Sequence, residues 1–216
     1  MNWFMRKFLL IAAIAVLVAT PLAAWYWRDT SQSEVEQLAT ILDWKPGSTI
    51  AEVGAGKGKM TIAAAERVGP SGRVLSTELD PNRLADIKAM ATKRRLANVT
   101  VIKAGEADTN LPAQCCDVVF IRDVYHHFTH PAEIDASLFS ALKPGGLLAI
   151  IDFAPSKALG LIAPIKGTPK NRGGHGIPQQ VLIDELTAAG FQVEVIPTNW
   201  PGRSYCVVFR KPSESH

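Results

Sequence analysis

The fold of this chain is decided by the stretch Thr49-Ile50-Ala51-Glu52-Val53-Gly54-Ala55-Gly56-Lys57-Gly58-Lys59. An apolar run reaches an acidic residue and then a turn with glycine at every second position, and a helical pattern opens at Met60. This order predicts a strand, a tight turn and a helix, the junction at which parallel α/β sheets bind nucleotide-like ligands. Glycine suits such a turn because a bulky ligand must lie against bare backbone. The helix start adds unpaired N–H groups that can bind polar ligand atoms.

Two common phosphate-binding patterns do not fit this turn. A P-loop, G-x-x-x-x-G-K-[ST], needs Ser or Thr after its lysine, but Lys59 is followed by Met60. A dinucleotide-binding loop, G-x-G-x-x-G, that starts at Gly54 would need its third glycine at position 59, where lysine stands. The turn instead reads E-x-G-x-G-x-G over residues 52–58.

An acidic residue follows at a spacing that matters. Glu78 ends the second predicted strand, 20 residues after Gly58. The end of that strand lies beside the glycine turn, where a carboxylate can accept hydrogen bonds from both hydroxyls of a ribose. The alternative interpretation is a solvated carboxylate at a strand end.

Two further segments complete an ordered set. Arg122-Asp123-Val124-Tyr125-His126-His127-Phe128 follows the fourth predicted strand, and Leu142-Lys143-Pro144-Gly145-Gly146 precedes the fifth. Together with the glycine turn and Glu78, these segments resemble the class I S-adenosylmethionine-dependent methyltransferases, of the type 11-like group. The resemblance covers about residues 33–210.

The resemblance implies an α/β fold, a three-layer α/β/α sandwich around a seven-stranded, mostly parallel sheet of order 3-2-1-4-5-7-6 with one antiparallel strand. It implies S-adenosyl-L-methionine as the cofactor. In the family, an acidic residue after the third strand contacts the adenine amino group; Glu106 matches it, with Asp108 as the alternative. The cofactor-binding residues implied in this chain are Glu52, Gly54, Ala55, Gly56, Gly58, Glu78, Leu79, Glu106, Ala107, Arg122 and Asp123.

The segment after the fourth strand carries the candidate catalytic residues, which are Tyr125, His126 and His127. Imidazoles can act as general bases near neutral pH. The alternative is that one histidine holds the loop by hydrogen bonding and the other is simply exposed. A histidine pair can also bind metal, but no cysteine or carboxylate lies at a recognisable ligand spacing, so no metal site is expected.

Charge and length exclude some functions. The chain has 216 residues, enough for one domain with a full core. Arg6, Lys7 and Arg28 precede any acidic residue, and without these three the remaining 20 basic residues balance 20 acidic ones. A neutral body argues against nucleic acid as a partner, because phosphate binding needs a basic face.

The N-terminal segment predicts a membrane or targeting element. Residues 8–27 carry no charge and are long enough to span about 30 Å of hydrocarbon. Arg6 and Lys7 at its start favour a cytoplasmic N-terminus, with the body on the other side of the membrane. The alternative is a cleaved signal peptide that leaves a secreted or periplasmic body. Residues 1–28 are therefore set apart from the domain at 29–216.

The segment 153–176 breaks the alternation of strands and helices. It is rich in proline and glycine and follows the carboxyl end of a strand, so it is expected to border the ligand crevice as a mobile lid. The hypothesis from sequence is a methyltransferase (EC 2.1.1.-) that acts on a small-molecule acceptor. The alternatives are an NAD(P)-dependent oxidoreductase and a membrane-tethered binding module without catalysis.

Overall fold

The computed structural model describes residues 32–213, which form one seven-stranded sheet with helices on both faces. The strands are β1 Thr49–Val53, β2 Arg73–Glu78, β3 Val99–Lys103, β4 Cys116–Arg122, β5 Leu142–Phe153, β6 Gln192–Val195 and β7 Ser204–Arg210. The helices are α1 at residues 32–41, α2 Lys59–Val68, α3 Pro81–Lys93, α4 Pro131–Ala141, α5 Lys157–Ile162 and α6 Gln179–Ala188. Short 3₁₀ turns lie at Tyr125–His127 and Lys170–Arg172.

The predicted strand order is confirmed. The sheet runs β3-β2-β1-β4-β5-β7-β6, with β7 antiparallel to both of its neighbours and the other pairs parallel. The chain moves outward from β1 to β3 and then returns to β4 on the other side of β1. The gap above the carboxyl ends of β1 and β4 is therefore the crevice in which open α/β sheets bind ligands.

The sheet is buried on both faces, as its apolar central strands predict. In β4, Val119 and Ile121 belong to one apolar cluster, whereas Val118 and Phe120 belong to the other. Helices α4 and α6 cover the first cluster, and α1 and α2 cover the second. The two clusters fix the sheet rigidly, so the strand ends that carry the candidate site are held in place.

The segment Leu142–Gly146 differs from its prediction. The sequence predicts a helix through Leu142 and then a turn, but α4 ends at Ala141 and β5 already begins at Leu142. The pairing with β4 shifts register between Cys116 and Val118, so the glycines form an irregular start of the strand. Gly145 has φ +77°, a left-handed conformation that favours glycine.

The predicted N-terminal element at 1–28, with its uncharged run at 8–27, lies outside the described residues, and its role stays a prediction. Within residues 32–213, none of the helices has the length and apolar character that a bilayer crossing needs.

The predicted lid at 153–176 contains α5 and the second 3₁₀ turn rather than an entirely irregular loop. The backbone N–H of Ser156 donates to the carbonyl of His175 at 2.9 Å, which closes the segment on itself. Arg172 is only 2% exposed, and its Nη1 donates to both carboxylate oxygens of Glu185 at 2.8 Å. These bonds hold the segment over the carboxyl edge of the sheet; its mobility stays a prediction.

Candidate functional site

The glycine turn between β1 and α2 has the backbone that its sequence predicts. Gly54, Gly56 and Gly58 have φ values of +73°, +55° and +73°. A Cβ on Gly54 would lie 2.6 Å from Cγ1 of Val124, so no side chain fits there without displacing that residue. The N–H groups of Gly54 and Ala55 both donate to the carbonyl of Thr77 at 3.0 Å, which binds the turn to the end of β2.

Glu78 stands at the end of β2 with its carboxylate facing the turn. One oxygen, Oε2, accepts from the N–H of Gly56 at 2.7 Å, and the other accepts from the N–H of Leu79 at 2.8 Å. The residue is only 6% exposed, yet it lines a cavity of about 440 Å³. Backbone bonds thus orient the carboxylate while its remaining lone pairs face the cavity, as a ribose-binding acceptor requires.

Glu52 lies beneath the turn, near the end of β1. It is 4% exposed, and burial raises its pKa to about 7, although the hydrogen bond from Thr61 opposes that rise. Thr61 Oγ1 is in turn 2.8 Å from the hydroxyl of Ser76. Glu52 lines a second cavity of about 320 Å³ that begins on the other side of Gly54.

Two acidic residues compete for the position after β3, and the structure gives them different surroundings. Asp108 accepts bonds from the Ser137 hydroxyl and the Asn110 N–H, both at 2.8 Å, and these bonds lower its pKa. Glu106 is exposed and lines the 440 Å³ cavity together with Leu79. Asp108 is therefore engaged in holding its loop, while Glu106 is available to a ligand.

Arg122, the last residue of β4, and Asp123, the next residue, lie where two cavities meet. Arg122 donates from Nη1 to Asp123 Oδ2 and from Nε to Glu34 Oε2, both at 2.7 Å. Arg122 and Asp123 line the 320 Å³ cavity and also a larger cavity of about 940 Å³, which extends below the lid past Phe153. Asp123 therefore lies where one ligand in the turn could meet another entering under the lid.

Asp123 also shows two signs of a functional site. Its φ is +55°, a strained conformation for a residue with a side chain. Its Oδ1 is buried and has no hydrogen-bond partner among residues 32–213. Burial raises the pKa of this carboxyl, and the positive charge of Arg122 opposes that rise.

His126 and His127 lie in the first 3₁₀ turn, but their surroundings differ. His126 is 1% exposed, and its Nδ1 lies 2.8 Å from Asp152 Oδ1. His127 is exposed and lines the 440 Å³ cavity. Partial burial of its ring, together with the neighbouring rings of His126 and His175, lowers the pKa of His127 to about 4. At neutral pH the His127 imidazole is therefore uncharged.

Tyr125, the third candidate catalytic residue, does not face the crevice. It is fully buried, and its hydroxyl lies 2.9 Å from Asp135 Oδ2 and 3.1 Å from Glu185 Oε2. Burial raises the pKa of this hydroxyl, so it stays protonated. The sequence interpretation of Tyr125 as a catalytic group is thus corrected: consecutive side chains of a 3₁₀ turn point in different directions, and this one anchors the core.

Asp135, the hydrogen-bond partner of Tyr125, gives a prediction about stability. Burial raises the pKa of its carboxyl to about 7. An unfolded aspartate titrates near 3.9. Between about pH 4 and pH 7 the folded chain therefore holds a proton that the unfolded chain releases. The contribution of the Asp135 carboxyl to the free energy of unfolding is full below about pH 4 and is lost as the pH rises through 7. We expect Asp135→Asn to raise the free energy of unfolding by about 2 kcal/mol at pH 8 and hardly to change it at pH 4.

Urea denaturation at the two pH values measures this difference, and Asp86→Asn, on the exposed face of α3, is the matched control. An equal effect of Asp135→Asn at both pH values would contradict the assignment of the proton to this carboxyl.

Sequence reasoning missed two residues of the site, Asp152 and Glu34. Asp152 is the penultimate residue of β5 and is 0% exposed; its carboxylate accepts from the backbone N–H of His126 and lies within hydrogen-bond distance of the ring Nδ1. A signal existed, because β4 and β5 are adjacent parallel strands and residues at their carboxyl ends must lie together. Glu34 in α1 had no comparable signal, since its contact with Arg122 depends on how α1 crosses the sheet.

The sheet order, the glycine turn and the acidic end of β2 define a Rossmann-like fold of the class I methyltransferase kind. The chain belongs to the family described as "Methyltransferase domain", whose model matches residues 45–183. The chain is also similar to solved structures: a SAM-dependent methyltransferase from Aquifex aeolicus has a TM-score of 0.69 at 22% identity, over 82% of this chain and 89% of that one.

Two curated relatives carry methyltransferase names. The nocamycin O-methyltransferase of Saccharothrix syringae is 30% identical over 123 residues, 57% of this chain and 44% of its own length. The ubiquinone/menaquinone biosynthesis C-methyltransferase of Ectopseudomonas mendocina is 28% identical over 111 residues, 51% of this chain and 43% of its own length. The chain thus spans less than half the length of either relative.

Proposed function

We propose that this protein transfers a methyl group from S-adenosylmethionine to a small-molecule acceptor. The observation that carries the proposal is the Glu78 carboxylate, which is oriented by the Gly56 N–H and lines the 440 Å³ cavity, while the 320 Å³ cavity shares Gly54 of the glycine turn with it. Membership of the methyltransferase family supports the same conclusion.

The 440 Å³ cavity fits the adenosine half of this cofactor. Glu78 offers lone pairs to the two ribose hydroxyls, and Glu106 can accept from the adenine amino group. Leu79 is 50% exposed on the cavity wall and gives the base an apolar surface. Ala104 and Gly105 complete this wall without bulky side chains.

The 320 Å³ cavity fits the methionine half. The buried Oδ1 of Asp123, without a partner in the described part of the chain, can accept from the ammonium group. Glu52 adds a second carboxyl on the same wall, and Lys57 and Lys59 offer cations for the cofactor carboxylate. The ammonium and carboxylate groups of the cofactor thus both have oppositely charged side chains on the wall of this cavity.

The position of Asp123 between this cavity and the 940 Å³ space under the lid supports a direct transfer. An atom of the acceptor donates a lone pair to the methyl carbon as the carbon–sulfur bond breaks, and the bonding pair stays on sulfur. The protein contributes chiefly by holding the two partners about 3–3.5 Å apart in line. His126 and His127 are the groups that could accept a proton, which is needed only for a hydroxyl or a protonated amine.

Isothermal titration calorimetry with S-adenosylmethionine and with NADH tests the ligand class. We expect binding of the first at micromolar concentration and no heat with the second, because no third dinucleotide glycine is present in the turn. Absence of binding to S-adenosylmethionine would reject the proposal. Binding without transfer to any component of a metabolite extract, followed with a labelled methyl group, would favour a binding module instead.

A further inference from the structure

Three histidines from two distant segments converge beside the crevice. One ring nitrogen of His126, of His127 and of His175 lies within 4.8 Å of those of the other two. The ring centroids of His126 are 4.1 Å from His127 and 5.0 Å from His175. Imidazoles are the usual protein ligands of zinc and related divalent ions. A tetrahedral ion with bonds of about 2.0–2.1 Å needs its ligand atoms roughly 3.3–3.4 Å apart, so the three nitrogens would move closer together by up to about 1.4 Å.

Two of the three rings are already oriented by a second hydrogen bond. Nδ1 of His126 lies 2.8 Å from Asp152 Oδ1, and Nδ1 of His175 lies 2.9 Å from the carbonyl of Ala163. A carboxylate and a carbonyl only accept, so each ring carries its proton on Nδ1 and keeps the Nε2 lone pair free. Histidines that bind metal typically donate their other N–H to a carboxylate or a carbonyl in this way.

His126 provides an independent sign of a missing partner. Its Nε2 is buried and accepts no hydrogen bond from any residue between 32 and 213. A buried acceptor without a donor is costly, and each such atom in a native protein calls for an explanation. An ion shared with His127 and His175 would satisfy it.

The protein holds these rings by packing as well as by hydrogen bonds. Phe153 stacks against His175 at 5.8 Å between centroids and meets the edge of His126 at 4.8 Å. The backbone hydrogen bond from Ser156 fixes the position of His175. A Cβ on Gly176 would lie 2.8 Å from the carbonyl oxygen of Phe153, so only glycine fits at this position. The three rings are therefore held near one another without an ion.

We propose that His126, His127 and His175 bind one divalent transition-metal ion, of which Zn²⁺ is the reference. Three protein ligands and one open position are the arrangement of catalytic rather than structural zinc sites. His127 lines the 440 Å³ cavity, and Phe153, which packs against His126 and His175, lines the 940 Å³ space under the lid, so the cluster lies between the two. The Asp152 carboxylate, buried behind His126, offsets part of the charge of the ion.

Because Phe153 packs against the cluster and also lines the 940 Å³ space under the lid, such an ion could bind an oxygen of an acceptor in that space. This role, unlike the metal site itself, rests on the proposed methyl transfer. A hydroxyl bound to the ion loses its proton to solvent more readily. Its oxygen then forms the bond to the methyl carbon, while the carbon–sulfur bond breaks and its electron pair remains on sulfur. No oxidant or reductant is needed.

Metal binding is measured on the full chain, without a histidine tag, after treatment with a chelator. We expect one Zn²⁺ per chain by calorimetry, and visible absorption bands of tetrahedral Co²⁺ when Co²⁺ replaces it. His127→Gln and His175→Gln are each expected to lower the affinity at least 100-fold, and Asp152→Asn about 10- to 100-fold. His130→Gln is the matched control, since His130 is exposed, close in sequence and outside the cluster.

The proposal is overturned if Zn²⁺ and Co²⁺ do not bind with one-to-one stoichiometry, or if His127→Gln and His175→Gln bind them as tightly as the unchanged protein. It is also overturned if His130→Gln weakens binding as much as they do. Circular dichroism checks that each variant is folded. Binding of S-adenosylmethionine, measured separately on the same variants, distinguishes failure of the metal site from failure of the proposed function.

Discussion

Replacing Glu78 by alanine is expected to weaken the binding of S-adenosylmethionine by about 100-fold. A hydrogen bond to a charged acceptor contributes roughly 1.5 kcal/mol or more, and two ribose hydroxyls would lose this acceptor. A loss of about 3 kcal/mol corresponds to about 100-fold in the dissociation constant. The N–H of Gly56 would lose its partner as well, which loosens the turn on which the ligand lies.

Calorimetry measures the affinity, and Asp80→Asn is the matched control. Asp80 is a neighbouring carboxylate that caps α3 by accepting from the Asn82 N–H at 2.8 Å, and asparagine preserves such a cap. The control removes one negative charge near the cavity without removing the proposed ribose acceptor. An unchanged affinity of Glu78→Ala, or an equal loss in Asp80→Asn, would take Glu78 out of the binding site.

The strand order and the glycine turn could be predicted because their signals are local and ordered along the chain. The helical pattern that opens at Met60 locates helix α2, which spans Lys59–Val68, since the glycines before it and Gly69 after it mark both ends. The start of β5 was less predictable. Proline and glycine at 144–146 indicate a turn, but Leu142 and Leu147 on either side both pair with β4 and keep this stretch within the strand as an irregularity.

The catalytic side of the crevice was harder to predict, because it depends on contacts between distant segments. Sequence alone places Tyr125, His126 and His127 together, but it cannot tell that the first points into the core and the third into the cavity. His175 joins them only because the lid folds back through its bridge to Ser156. No periodic pattern reports such a contact, and so the expectation of no metal site, drawn from ligand spacing along the chain, overlooked this cluster.

Gly56 precedes α2 and Gly69 follows it. Alanine substitutions at these two glycines distinguish the effect of ligand contact from that of backbone strain. Gly56 and Gly69 have φ values of +55° and +68°, and a Cβ on either would meet nothing within 4 Å in the described part of the chain. Alanine at Gly56 thus carries a conformational cost of roughly 1–2 kcal/mol in the free energy of unfolding. At Gly69, whose ψ is −177°, the cost of alanine is larger, because that backbone region is essentially restricted to glycine. Gly56, however, lines the 320 Å³ cavity, and the open space at its Cβ is where the cofactor would lie.

We therefore expect Gly56→Ala to weaken the binding of S-adenosylmethionine at least 100-fold, and Gly69→Ala to leave it unchanged, although Gly69→Ala lowers the urea midpoint at least as much as Gly56→Ala. The comparison is sharp because the backbone strain of alanine at position 69 is no smaller than at position 56, and only position 56 faces the ligand. If Gly69→Ala weakened binding as much as Gly56→Ala, the loss would come from strain passed through α2 and not from contact. If Gly56→Ala bound normally, the ligand would not lie against this turn, and the placement of its methionine half beside Asp123 would fall with it.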